Sequence, residues 1–166
     1  MCGILGVFSA NGLTEKIIDE STFEKMLGQL HHRGPDESSY IVHNHIWLGH
    51  SRLSIIDVSS GQQPMGCEDE SVYITFNGEI FNYIELRENF EQQGVKFRTQ
   101  SDTEVLLAAY KKYGKHMFQY INGQYAFCIW DKKRNLALLG RDHAGILPIF
   151  YTFLDGTLFF SSTIKA

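Results

Sequence analysis

The sequence predicts an α+β fold in which two mostly antiparallel sheets are covered by helices. Short runs rich in aromatic and β-branched residues occur in groups, and such runs favour strands. The helical segments are grouped between these runs, so strands and helices do not alternate as they do in βαβ units. The strands at the two ends of the chain are short and strongly apolar, and we expect both to lie in a buried core.

The predicted strands are apolar runs bounded by turn residues. In chain order they are residues 3–9, 39–48, 50–58, 72–76, 124–131, 136–141, 148–153 and 157–161. The strand over 72–76 should end at Asn77-Gly78, because this pair is a strong signal for a tight turn. The last four strands should be joined by hairpins at 132–135 and 154–156.

Three helices are predicted from apolar spacing and from residues that favour helix ends. The first covers residues 19–32, where apolar residues recur at helical spacing and Gly34 lies just beyond the end. Asn82 can cap the second helix, which should stop near Gly94. The pattern Ser101-x-x-Glu104 predicts a capping box that opens a third helix, and this helix should end at Gly114.

Composition excludes several classes of protein. With 166 residues the chain is long enough for one domain with a buried core. Its net charge of −4 gives no reason to expect nucleic acid or a membrane as a partner. Three cysteines without a CxxC pair do not form a complete disulfide set, which favours a reducing, cytoplasmic compartment. The seven histidines lack the ligand spacing of a metal site, so no metal is expected.

Cys2 is the most informative single residue, because it follows the initiator methionine. Small residues at this position generally permit removal of Met1, and Cys2 would then carry both a thiol and a free α-amino group. The reference pKa values are about 8.5 for the thiol and about 7.7–8.0 for the amine, so the amine can take the thiol proton near neutral pH. The alternative is a buried structural cysteine, since free cysteines are among the most buried residues.

Several later segments share motifs with one family. They are His-Arg-Gly-Pro-Asp (32–36), Gly-His-Ser-Arg-Leu-Ser-Ile-Ile-Asp (49–57), Phe-Asn-Gly-Glu-Ile-Phe-Asn (76–82), Ser-Asp-Thr-Glu (101–104), Asn-Gly-Gln-Tyr-Ala-Phe (122–127) and Arg-Asp-His-Ala-Gly (141–145). Together with Met-Cys-Gly-Ile at the start, they closely resemble the class II glutamine amidotransferases. The nearest likeness is the glutaminase domain of asparagine synthetases of the B type. The likeness spans almost the whole chain in the family's order, so it is far more specific than a single short motif.

The resemblance implies a four-layer αββα fold of the N-terminal-nucleophile hydrolase type, with residues 1–166 as a single type 2 glutamine amidotransferase domain. It implies hydrolysis of the side-chain amide of L-glutamine to glutamate and ammonia through a thioester on Cys2. Ammonia would pass to an asparagine synthetase-type domain or subunit, which uses ATP and Mg. The glutaminase domain itself should need no cofactor, and it could form a homo-oligomer.

The resemblance also implies a role for each site residue. Asn77 and Gly78 would be the oxyanion donors, although the local sequence alone favours a plain hairpin turn. Arg52 fits the α-carboxylate of glutamine, because its planar guanidinium binds two oxygens. Asp102 fits the α-ammonium, although an acid in the first turn of a helix is also favoured by the helix dipole alone.

Three further residues of the implied pocket lie beside these. Glu79 would help to hold the substrate amine. Leu53 and Ile55 would contribute backbone carbonyls to the pocket, or else both serve only as core residues of a strand.

The chain departs from the family at two positions near its end. Leu147 stands where the family usually has Lys or Arg, and Thr163 where it usually has Glu. Both should lie near the side that faces the synthetase domain, whose phosphate loop is absent from this sequence. We therefore expect an isolated glutaminase domain, either part of a longer protein or an unusually short gene product. A glutamine-binding or regulatory module with little turnover is the alternative. The glutaminase domain of a phosphosugar or purine amidotransferase fits the motifs less well.

Overall fold

The structure, a computed structural model, describes residues 1–54, 57 and 60–166. In chain order the strands in these ranges are β1 (Gly3–Phe8), β2 (Glu37–Val42), β3 (Ile46–Arg52), β4 (Met65–Gly66), β5 (Val72–Ile80), β6 (Gly123–Asp131), β7 (Leu136–Arg141), β8 (Phe150–Leu154) and β9 (Thr157–Ser161). The helices are α1 (Glu20–Gly28), α2 (Tyr83–Gln92) and α3 (Asp102–Tyr113), and a 3₁₀ helix (Gly114–Gln119) follows α3. None of these helices has both the length and the apolar composition that a membrane span requires.

The strands form two antiparallel sheets. The first has the order β2-β3-β1-β9-β8, and the second has the order β4-β5-β6-β7. Strand β1 pairs with β3 on one side and with β9 on the other. The apolar runs at the two ends of the chain therefore lie side by side in the first sheet, and both are largely buried, as predicted.

Three apolar clusters separate the layers. Between the sheets, Ile4 and Leu48 of the first sheet pack with Trp130 of the second. The outer face of the first sheet is covered by α1, and the outer face of the second by α2 and α3. This helix–sheet–sheet–helix order is the four-layer αββα arrangement, which confirms the predicted fold class.

The prediction that a strand ends at Asn77-Gly78 is wrong. Strand β5 continues to Ile80 and pairs with β6 throughout, with Asn77 opposite Ala126 and Gly78 opposite Tyr125. Pairing over the whole of β5 overrides the local turn preference of the Asn-Gly pair. Gly78 is nevertheless needed: its φ is +151°, and a Cβ atom there would lie 2.2 Å from the Gln124 carbonyl oxygen.

The boundary between the second and third strands also differs from the prediction. The hairpin lies at residues 43–45, where the His43 and Ile46 backbones bond to each other, and β3 continues through Gly49. Gly49 belongs inside the strand because α1 packs there; a Cβ atom would lie 3.1 Å from Leu27 Cδ1. Strand β3 ends at Arg52, and positions 55, 56 and 58 of the predicted strand lie outside the described residues.

The helix ends agree in part with the predicted caps. The Ser101 hydroxyl accepts a hydrogen bond from Glu104 N at 3.3 Å, as predicted for the start of α3. The Glu104 carboxylate instead accepts from Arg98 N and Thr99 N, so the capping box is only half formed. Asn82 precedes α2 without a side-chain cap bond; its side chain binds the backbone of residues 120 and 122.

Candidate active site

A cavity of about 150 Å³ lies where the start of β1, the end of β3, β5 and the start of α3 meet. Every predicted site residue lines it except Ile55, which lies outside the described residues. The predicted residues that it brings together are Cys2, Arg52, Leu53, Asn77, Gly78, Glu79 and Asp102. Four strand or helix ends, distant in sequence, thus converge on one pocket.

Cys2 is fixed by contacts on two sides. Its Sγ accepts a hydrogen bond from Leu53 N at 3.4 Å and lies 3.6 Å from the Leu53 carbonyl oxygen. Its own carbonyl accepts from Arg33 Nε at 2.9 Å. Burial raises the pKa of the Cys2 thiol, opposed by the Leu53 N–H and by the positive charges of the N-terminus, Arg52 and Arg33. A thiol with a raised pKa needs a base beside it to become a nucleophile.

Met1 lies at the mouth of the same cavity. It is 60% exposed, so it is accessible for removal. While Met1 is attached, the nitrogen of Cys2 is part of a peptide bond and cannot accept a proton. Removal of Met1 would place a free amine on the residue that carries the thiol.

Asn77 lines this pocket and has a buried donor, Nδ2, without a hydrogen-bond partner among the described residues. The residue is 1% exposed, and within the described ranges Nδ2 has no hydrogen-bond partner. Such a donor costs about 1–3 kcal/mol when it is left unpaired, which is a cost that a bound acceptor removes. Gly78 follows it, is exposed and also lines the cavity, while the backbone of β6 leaves no room for a side chain at this position.

Arg52 is the buried cation of the pocket. It is 5% exposed, its Nη1 lies 3.5 Å from Glu37 Oε2, and its Nη2 donates to the Asp57 carbonyl at 2.7 Å. These contacts hold the guanidinium at the end of β3, next to Leu53. A guanidinium held in this way is pre-organised to bind a carboxylate.

Asp102 is the buried anion of the pocket. It is 4% exposed, and its Oδ2 accepts a hydrogen bond from Ile80 N at 3.1 Å. Burial raises its pKa to about 6, opposed by backbone N–H groups and reinforced by the negative charge of Glu79. The stability that the raised pKa provides is present below the ordinary carboxyl pKa and is lost as pH rises through about 6. Ionised Asp102 therefore destabilises the empty fold, and a cation bound beside it would relieve that cost.

Sequence reasoning did not assign roles to several residues that build the pocket. Arg33 holds the Cys2 carbonyl, and its motif, His-Arg-Gly-Pro-Asp, packs against the end of β3: a Cβ atom on Gly34 would lie 2.1 Å from the Ser51 oxygen. Asp36 Oδ2 accepts from Ser54 N at 2.8 Å. Gln63 and Leu147 also line the cavity, and no motif signalled a role there for either of them.

The other two cysteines lie away from this cavity. Cys128 is fully buried in β6 between the sheets, and burial raises the pKa of its thiol. Cys67 donates to Asp69 Oδ1 at 2.9 Å. Neither lines the pocket that contains Cys2.

Comparisons with known proteins identify the family and the relatives of this chain. The family model described as glutamine amidotransferase domain matches residues 1–166. Asparagine synthetase [glutamine-hydrolyzing] 1 of Bacillus subtilis is 44% identical over 166 residues, which cover 100% of this chain and 26% of that protein. Asparagine synthetase [glutamine-hydrolyzing] 2 of Oryza sativa is 38% identical over 167 residues, which cover 100% of this chain and 28% of that protein.

A solved structure of glutamine phosphoribosylpyrophosphate amidotransferase from B. subtilis shares the fold. Its TM-score is 0.77 at 21% identity, over 97% of this chain and 42% of that one. The chain spans about a quarter of the length of the two asparagine synthetases. Because the family model covers every residue of the chain, the chain belongs to the glutamine amidotransferase domain family.

Proposed function

We propose that this chain hydrolyses the side-chain amide of L-glutamine to glutamate and ammonia, with Cys2 as the nucleophile. The observation that carries this proposal is the buried Nδ2 of Asn77, which has no partner in the described part of the chain and belongs to a residue that lines the same cavity as Cys2. A donor held in this way suits an oxygen that becomes negative during attack on an amide. The names of the related asparagine synthetases, which are glutamine-hydrolysing, also support this substrate.

The proposed reaction begins when Cys2 Sγ attacks the amide carbon and the α-amine of Cys2 takes the thiol proton. The carbonyl oxygen becomes an oxyanion that accepts hydrogen bonds from Asn77 Nδ2 and the Gly78 N–H. Collapse of this intermediate breaks the C–N bond, and the α-ammonium returns its proton to the departing ammonia. Water then hydrolyses the thioester, which releases glutamate and restores the thiol.

The two charged ends of glutamine match the two buried charges of the pocket. Arg52 would bind the α-carboxylate, and Asp102 would bind the α-ammonium with help from Glu79. The Leu53 backbone already contacts the Cys2 sulfur, so it would lie beside the reacting carbon. The proposed carbonyl ligand Ile55 follows two residues later.

We further propose that ammonia passes to a synthetase domain or subunit of the asparagine synthetase type. The relatives' names and their greater length support this partner. ATP and Mg would serve only that partner, since the chemistry proposed for Cys2 needs neither. We also propose a cytoplasmic location, which the three free cysteines support.

The first test compares the chain that begins at Cys2 with a variant that keeps a residue before Cys2, each confirmed by intact mass. We expect glutamate release, together with trapping of the thioester by hydroxylamine, only from the chain that begins at Cys2. The retained residue should lower turnover by at least about 10²-fold, because the base is lost. Full activity in the retained form would overturn the α-amine mechanism. Glutamine binding without turnover in the processed form would instead establish the binding module.

The raised pKa of Asp102 predicts a specific pH dependence. The proposed α-amine base has a reference pKa of about 7.7–8.0, so its protonation should already lower kcat/KM for glutamine by about tenfold for each pH unit below that range. Only the ionised Asp102 carboxylate attracts the substrate ammonium, so this fall should steepen by about a further tenfold for each pH unit below 6. Asp102→Asn should weaken glutamine binding and remove only the additional steepness, because Asn does not titrate. Steady-state kinetics between pH 5 and 8, which spans the pKa of about 6, measure both effects. An equally steep fall below pH 6 in Asp102→Asn would assign the additional dependence to another group.

A further inference from the structure

Gln63 lies in the wall of the cavity, and its side chain joins two parts of the chain that are distant in sequence. Its Oε1 accepts a hydrogen bond from the Phe76 N–H at 2.7 Å. Its Nε2 donates to the Thr103 hydroxyl at 3.3 Å. Gln63 is 8% exposed, so water competes little for either bond. The side-chain amide therefore links β5 to the first turn of α3.

The position of Gln63 follows from strand pairing. The β4–β5 register, continued two residues beyond Met65, would place Gln63 opposite Phe76. Strand β4 begins only at Met65, so the side chain of Gln63 accepts the N–H that a longer strand would accept. The Gln63 carbonyl is also fixed, because the Ser39 hydroxyl of β2 donates to it.

The two residues that Gln63 binds are sequence neighbours of the proposed substrate ligands. Phe76 precedes Asn77, the proposed donor to the reacting amide, and Thr103 follows Asp102, the proposed ligand of the α-ammonium. A change in either bond would move one end of the pocket relative to the other. The Gln63 amide is planar and buried, so it is suited to hold these ends at a fixed separation.

We propose that Gln63 is a positioning residue that sets the distance between Asn77 and Asp102, and thereby selects glutamine over asparagine. This inference rests on the proposed function. Asparagine carries the same end groups but is shorter by one methylene, so it cannot reach both ligands at once when their separation is fixed. One missing methylene changes kcat/KM by about 10–200-fold in an apolar pocket. We expect a discrimination of this size when the separation of the two ligands is fixed. If Gln63 only provided hydrogen bonds to buried groups, its substitution would lower kcat/KM for glutamine and for asparagine by the same factor.

The test measures kcat/KM for glutamine and for asparagine with the chain that begins at Cys2. Gln63→Met keeps the length of the side chain and removes both hydrogen bonds. We expect the ratio of the two kcat/KM values to fall by about tenfold or more, mainly through loss of activity on glutamine. Thr103→Val removes only the bond at the Asp102 end, so it should raise KM for glutamine by about 3–10-fold with kcat within about twofold. Thr103→Ser, which keeps the hydroxyl, should restore KM.

Tyr110→Phe is the matched control. Tyr110 lies on α3, as Thr103 does. The substitution removes one buried hydrogen bond, the 3.1 Å bond from the Tyr110 hydroxyl to Asp131 Oδ2. This variant should lower thermal stability without changing the ratio. If Gln63→Met lowers kcat/KM for both substrates in equal proportion, so that their ratio stays unchanged as in Tyr110→Phe, Gln63 has only a structural role and the inference is overturned.

Binding in a Cys2→Ala background separates this inference from the proposed hydrolysis. Calorimetry there should show preference for glutamine over asparagine, and Gln63→Met should reduce that preference. If Gln63→Met reduces the binding preference but the chain that begins at Cys2 shows no turnover, the proposed hydrolysis is contradicted and the positioning role is retained. Normal turnover with an unchanged ratio would overturn the positioning role and retain the hydrolysis. Absence of glutamine binding would overturn both.

Discussion

Cys2→Ala is expected to lower glutamate release by at least about 10⁴-fold while glutamine binding is kept. The nucleophile is removed, but the charged groups that hold the substrate ends, Arg52 and Asp102, remain in place. Because the thiol is small and, among the described residues, forms hydrogen bonds only with the Leu53 backbone, the substitution should leave the pocket intact. Glutamate release and calorimetric titration with glutamine measure the two expectations separately.

Cys67→Ala is the control for this experiment. Cys67 is buried, as free thiols often are, but its thiol bonds to Asp69 away from the cavity. We expect turnover per folded molecule to be unchanged. Residual turnover within about tenfold of the parent in Cys2→Ala would show that another group attacks the amide.

Asn77→Ala is expected to lower kcat by about 10²–10³-fold, the range seen when one oxyanion donor is removed. The Nδ2 atom has no partner within the described part of the chain, so its removal leaves no protein acceptor unpaired. Since the donor acts on charge that develops in the transition state, kcat and kcat/KM should fall together and KM should change little. Steady-state kinetics with glutamine and a thermal melt of each variant provide these values.

Asn82→Ala is the matched control, because it removes an asparagine whose amide bonds to the backbone of residues 120 and 122 outside the pocket. It should lower stability and leave kcat unchanged. An Asn77→Ala variant with the parent's kcat would return Asn77 to a purely structural role.

Much of the fold could be predicted because its signals are local. Strands β7 and β9 have the predicted bounds, since a short apolar run between turn residues places each of these hairpin strands. The start of α3 was also predicted, because the Ser101 cap and the first turn of the helix are adjacent in sequence. The errors occur where a distant segment decides the local conformation, as β6 does for Asn77-Gly78.

The sequence by itself determined the family, the nucleophile candidate and seven of the fifteen residues that line the pocket, because these depend on residue types in order along the chain. Only the tertiary structure decided how they act together. It gives the Asn77 donor no partner within residues 1–54, 57 and 60–166, raises the pKa of Asp102 by burial to about 6 and bonds Gln63 to both Phe76 and Thr103. Desolvation and long-range hydrogen bonding depend on which segments are in contact in the folded chain. Local signals such as periodicity, capping and turn preferences carry no information about these tertiary contacts.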